Sequence, residues 1–260
     1  MATVLLMPAT EPRPRPNDEV ATAAGPMGVH LEVPAGAGPW PAVVVIHDAS
    51  GLTADTVRQC RWLADSGFLA VAPDLFAGGS MLGCLRTVIR DFASWQGSVF
   101  DQVEAVRGWV ADREDCTGRV GVLGFCMGGG FALSLAPGHG FVVSSANYGM
   151  IPKDAERYFV GACPIIASYG GRDLSLRGAG PKLGAALSAA GVEHEVDVYP
   201  QAGHGFLNDH GPGEVPFLFQ LMAPLARTSY HRPSAELAQQ RIVAFLTRHL
   251  VEPVPEDPRT

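Results

Sequence analysis

The chain has 260 residues, of which 47% are apolar and 17% charged, with a formal net charge of -7. That length and apolar share allow one large domain with a sizeable core, and they exclude a largely disordered chain. The charges are mixed along the sequence, which excludes the clustered basic footprint of a nucleic-acid binder.

Residues 1–26 read as an extended N-terminal segment, because Pro12, Pro14, Pro16 and Pro26 stand among charged and small residues. The β-branched run Val43, Val44, Val45, Ile46 predicts a strand buried on both faces of a parallel sheet. Val57, Trp62 and Leu63 then predict a helix over residues 54–66, ended by Gly67. Residues 68–72 predict the next strand, stopped by Pro73. Phe100, Val103, Val106, Trp109 and Val110 predict a helix over residues 97–113. Residues 120–123 predict a strand that runs into a glycine-rich turn at Cys126. Further strands are expected at 141–147, 164–169 and 193–199, and helices at 179–190 and 234–249. Residues 251–260 read as a tail. This alternation predicts one α/β domain over residues 27–250, with a mostly parallel central sheet and helices on both faces. Residues 75–95 and 205–232 follow strands without clear periodicity, and are candidate pocket walls.

The five cysteines are scattered and include no C-x-x-C pair. The N-terminus lacks a basic n-region, and no stretch is long enough to span a membrane. The expectation is a soluble, cytoplasmic protein with free thiols.

Gly124-Phe125-Cys126-Met127-Gly128 has the form G-x-nucleophile-x-G. A nucleophile on a tight strand-to-helix turn needs small neighbours, because a side chain at either glycine would crowd the strand or helix. The helix starting after Cys126 would aim its positive end at the sulfur and favour negative charge there. Taken alone, the motif also fits a small buried cysteine in a βα turn.

Asp173 follows Gly170-Gly171-Arg172, and His204 lies in Gly203-His204-Gly205; both stand after predicted strands. The order Cys126, Asp173, His204 is the nucleophile, acid, base order of α/β-hydrolases. His204 can share the proton of Cys126, and Asp173 can orient the imidazole. The expected oxyanion hole uses the backbone N–H of Met127 and of Ala49, in the loop after the first predicted strand.

On these residues the chain resembles the dienelactone hydrolase family. The likeness rests on Val43 to Asp48, Gly67 to Phe76, Gly124 to Gly129, Gly170 to Asp173 and Ala202 to Phe206. It implies an α/β-hydrolase fold, no cofactor or metal, and hydrolysis of small esters or lactones by Cys126, Asp173 and His204. It also implies that Asp48 and Tyr148, with Phe206 and Asn208, stand at a gating and substrate pocket. Asp48 is one methylene shorter than the family's usual Glu, which leaves two roles open, gating the thiol or capping a turn. Gly78 and Asn208 occupy positions where dienelactone hydrolases proper hold a substrate carboxylate with arginines. Arg86, Arg90 or Arg172 are the candidates to replace them; otherwise the pocket is expected to take a neutral or differently shaped ester or lactone. The apolar stretch from Pro216 to Leu225 reads equally as a lid or as ordinary packing.

A metal site from His204, Asp209, His210 and His47 matches no tight ligand spacing and would leave Cys126 unused. A binding or thiol-sensing protein on the same fold would not need Asp173 and His204. Thioester cleavage by the same three residues is a closer alternative. The expected partner is a small ester or lactone, with no nucleic acid or membrane, on a monomer or small homo-oligomer.

Overall fold

A computed structural model describes residues 14–76, 90, 91, 94, 96–211, 213–215 and 228–251. In chain order the strands are β1 (Asp18–Thr22), β2 (Gly25–Glu32), β3 (Trp40–Ile46), β4 (Leu69–Pro73), β5 (Cys116–Phe125), β6 (Ser144–Asn147), β7 (Ile165–Gly170) and β8 (His194–Tyr199). The helices are α1 (Ala54–Asp65), α2 (Ser98–Ala111), α3 (Met127–Leu135), α4 (Ala155–Tyr158), α5 (Ala179–Ala189) and α6 (Arg232–Leu250). Among the described residues the strands form one sheet in the order β1-β2-β4-β3-β5-β6-β7-β8. From β4 onward the strands are parallel, while β1 and β2 are antiparallel at one edge.

The β-branched run in β3 has a simple cause. Ala42, Val44 and Ile46 pack on one side with Val103 and Val106 of α2, Phe131 of α3 and Leu183 of α5. Val43 and Val45 pack on the other with Leu63 of α1 and with Ile242 and Phe245 of α6. Neither face meets water, so no polar alternation is possible. Helix α1 starts on a reciprocal cap, in which Thr53 and Thr56 exchange side chain-to-backbone hydrogen bonds. It stops before Gly67, whose φ of +92° suits glycine.

The hairpin β1–β2 was not legible as sheet. Residues 18–26, read as part of an extended lead-in, pair as the antiparallel edge. Val20 alone is buried on β1, so the strand carries no apolar alternation. Helix α4, a single turn, is too short to show a helical period in the sequence. Among the described residues, no helix is long and apolar enough to cross a membrane.

Candidate active site

Four adjacent parallel strands, β5, β6, β7 and β8, deliver Cys126, Tyr148, Asp173 and His204 just beyond their carboxyl ends. β3, next to β5, delivers Asp48. In open α/β sheets this edge is where ligands bind.

Cys126 sits at φ +54°, ψ -112°, a strained conformation for a non-glycine residue. Its N–H donates to Asn147 O at 3.0 Å, and its carbonyl accepts from Gly130 N at 3.1 Å. The turn is possible only because backbones touch. A Cβ on Gly124 would lie 1.9 Å from Gly128 O, and one on Gly128 would lie 2.2 Å from Ile46 O. The first turn of α3 is thus pressed onto the end of β3. Met127 opens α3, so its N–H belongs to the turn that has no partner within the helix. Ala49 lies in the turn after β3. There Ser50 N donates to Asp48 Oδ1 at 2.8 Å and Gly51 N to Asp48 O at 3.2 Å; the Ala49 N–H takes no part in those bonds.

Asp173 and His204 are brought together by another close approach. A Cβ on Gly170 would meet Gly203 O at 2.3 Å, and Arg172 N donates to Ala202 O at 2.8 Å. His204 Nδ1 then lies 2.7 Å from Asp173 Oδ2. Asp173 Oδ1 accepts from Ser175 N at 2.9 Å, Leu176 N at 3.3 Å and the Ser175 hydroxyl. The Cys126 side chain also acts on the His204 imidazole and favours its charged form. Burial opposes a charged imidazole, yet the bonds and charges of Asp173 and Cys126 push it up to about 10. Burial likewise opposes charge on Asp173, but His204 and Ser175 hold its carboxyl below the ordinary value. The Tyr148 ring meets the His204 imidazole edge-on, centroids 5.2 Å apart.

The remaining candidates are joined in ways the sequence did not announce. The Tyr148 hydroxyl donates to Asn208 Oδ1, and Asn208 Nδ2 donates to Asp55 Oδ2 at 2.6 Å. Asn208 is therefore a buried bridge between a phenol and a carboxylate. Phe206 is fully buried against Tyr148 and Tyr199, so its ring belongs to the packing beneath the site. Asp48 caps its turn through Ser50 N and also pairs with His210 Nε2 at 2.7 Å. His210, Asp55 and Ser175 had no motif to single them out as partners of these residues.

Of the groups weighed as replacements for the missing arginines, Arg172 donates to Gln201 and is exposed, while Arg90 binds Asp91 at the start of α2. Gly78, Arg86 and the stretch from Pro216 to Leu225 lie outside the described residues. The residues weighed as metal ligands are separately engaged: His204 with Asp173, His210 with Asp48, and His47 Nδ1 with Asp48 O at 2.7 Å. Among the described residues, no three His, Cys, Asp or Glu side chains converge on one point.

Residues 27–250 match the model of the dienelactone hydrolase family. A carboxymethylenebutenolidase-like protein of Yersinia pestis is 28% identical over 240 residues, covering 85% of this chain and 83% of the relative. The carboxymethylenebutenolidase of Pseudomonas putida is 28% identical over 188 residues, covering 68% and 79%. The crystal structure of a dienelactone hydrolase-like protein from Klebsiella pneumoniae superposes with a TM-score of 0.70 at 25% identity, covering 89% of this chain and 98% of that one. The chain therefore belongs to the dienelactone hydrolase family and is an ester or lactone hydrolase on the α/β-hydrolase fold.

Proposed function

We propose that the chain cleaves a small, uncharged carboxylic ester or lactone through Cys126, His204 and Asp173, by way of a thioester, within one unit spanning residues 27–250. The observation that carries this reading is the position of His204. One ring nitrogen is held by Asp173 at 2.7 Å, and the same imidazole is acted on by the side chain of the strained Cys126. The reactive form is the imidazolium–thiolate pair, in which the Cys126 proton sits on His204, whose hold on it Asp173 and Cys126 raise to about 10.

The steps follow from that charge state. The Cys126 sulfur attacks the carbonyl carbon, and the oxyanion forms against the N–H groups of Met127 and Ala49. His204 gives its proton to the leaving oxygen as the C–O bond breaks, which leaves a thioester and a neutral imidazole. His204 then takes a proton from water as the water attacks the thioester. The acid departs, and the thiolate and imidazolium are restored. Asp173 holds the tautomer and balances the cation throughout. The preference for an uncharged substrate rests on Asn208, a neutral side chain already spent on Tyr148 and Asp55. The cationic Arg90 and Arg172 are likewise engaged elsewhere.

The test is a panel of small esters and lactones, one of them bearing a free carboxylate, run on the wild type and Cys126→Ala. The variant should lose turnover of every member. Wild-type rates in Cys126→Ala would remove the nucleophile, and a clear preference for the anionic lactone would remove the claim about charge.

A further inference from the structure

The loop that follows His204 is fastened to one face of helix α1. Arg58 and Gln59 follow Asp55 by three and four positions, a spacing that puts all three side chains on one side of a helix. Asp55 Oδ1 accepts from Asp209 N at 3.0 Å, and Asp55 Oδ2 accepts from Asn208 Nδ2 at 2.6 Å. Gln59 Nε2 donates to Leu207 O at 2.9 Å, and Arg58 donates to Asp209 O. Leu207, Asn208 and Asp209 are thus each held by α1. Asn208 N also turns back to Gly205 O at 2.9 Å, which closes the loop just past His204.

The contact at Asn208 runs on to His204. Asp55 and Asn208 are both buried, and Asp55 meets donors from Asn208, Asp209 and Arg58. A carboxylate only accepts, so the Asn208 amide turns its nitrogen to Asp55 and its oxygen to Tyr148. Burial pushes the Tyr148 phenol well above its ordinary value, so it keeps its proton and donates to that oxygen. The direction of every bond from Asp55 to Tyr148 is therefore set.

Tyr148 is the residue that such a chain would hold in place. Its φ is +42°, a conformation that persists only where the surroundings enforce it. Its N–H donates to Ser168 O at 2.7 Å. Gly149 after it is pressed onto α3, where a Cβ would stand 2.3 Å from Gly129 C. The Tyr148 ring packs against Phe206, centroids 5.6 Å apart, and against the His204 imidazole, centroids 5.2 Å apart. Asp173 fixes His204 at Nδ1, a single point about which the imidazole could still tilt. The ring on its flank removes that freedom. Packing alone would need only a phenyl ring at position 148 and an apolar residue at position 208. A buried carboxylate costs stability relative to such packing, and what it supplies instead is fixed geometry.

We infer that Asn208 and Asp55 are positioning residues for His204: through the Tyr148 phenol they fix the ring that sets the tilt of the imidazole, and they tie the His204 loop to α1. The inference rests on the proposed role of His204 as the base, yet one of its two readouts does not require turnover.

The experiment pairs steady-state turnover of a chromogenic ester with the heteronuclear NMR spectrum of the histidine rings, in which His204 is identified by its loss in His204→Gln. Asn208→Leu cuts both bonds of the chain, and Tyr148→Phe cuts one while keeping the ring. Asp55→Asn sets an amide nitrogen against a donor whichever way it turns. Each should lower kcat about tenfold with little change in KM, because substrate still binds while the base is misaligned. The double variant Tyr148→Phe, Asn208→Leu should be no slower than Asn208→Leu alone, since both changes break one chain. The His204 ring signals should broaden or double in each single variant. Unchanged His204 signals would overturn the inference even where the melting temperature falls, because that combination marks a merely structural role. Wild-type kcat in Tyr148→Phe or Asp55→Asn would overturn it too, as would a double variant slowed by the product of the two single effects. If Asn208→Leu fails to fold, Tyr148→Phe decides on the same two readouts. Wild-type turnover in His204→Gln would instead remove the base from the proposed mechanism, and the ring signals would still decide whether Asn208 and Asp55 hold that imidazole.

Discussion

Gly128→Ala is the smallest change that should disable this enzyme without touching a reacting atom. The new methyl would stand 2.2 Å from Ile46 O and 2.7 Å from His47 O, both backbone atoms of the central strand and its exit. A carbon needs about 3.5 Å for comfortable contact, so α3 and β3 must part by roughly 1 Å. Overpacking of this kind costs about 1–3 kcal/mol. The larger effect falls on chemistry. Parting these elements separates the Met127 N–H on α3 from the Ala49 N–H on the turn after β3, and a shift of about 1 Å at a reacting centre can cost roughly 100-fold in rate. The assay is kcat/KM on a chromogenic ester alongside a thermal melt. Gly108→Ala in α2 is the matched control, because a Cβ there meets nothing within 4 Å. It should stabilise the fold by about 0.5–1 kcal/mol and leave turnover unchanged. Wild-type activity and melting in Gly128→Ala would refute the argument that backbone contact at this glycine sets the site.

Asp173→Asn should fold nearly normally, since an amide oxygen can still accept from Ser175 N, Leu176 N and the Ser175 hydroxyl. Its kcat should fall roughly 10³–10⁴-fold, because His204 loses both its charge partner and its fixed tautomer; wild-type kcat would exclude the role given to Asp173. The melting temperature should depend on pH on the alkaline side. His204 and His210 both bind protons more tightly folded than at their ordinary value of 6.5. Their stabilisation is therefore complete below that pH. It is lost as pH rises through about 9 for His210 and about 10 for His204. A flat melting temperature from pH 6.5 to 10 would contradict both pairings.

The centre of the sheet is legible in the sequence and its antiparallel edge is not. Val43 to Ile46 announced a central parallel strand because such a strand is covered on both faces, which leaves an unbroken β-branched run. β1 buries only Val20, so nothing in its composition separates it from a loop. The turn at Cys126 was legible because its demands are local, two glycines where an added Cβ would stand 1.9 and 2.2 Å from backbone oxygens.

What the sequence by itself determined is the chemistry on offer: a thiol on a strained turn, and an acid and a base on later loops in hydrolase order. Only the tertiary structure decided how those groups are charged and held. Asp48 was readable as a gate or a turn cap, but its bond to His210 spans 162 positions. Asn208 was readable as a lost arginine, but it bridges Tyr148 to Asp55, 153 positions away. Local steric rules leave their mark in neighbouring residues. Pairings between distant loops leave none, because any polar residue that the fold brings within hydrogen-bonding reach can make them.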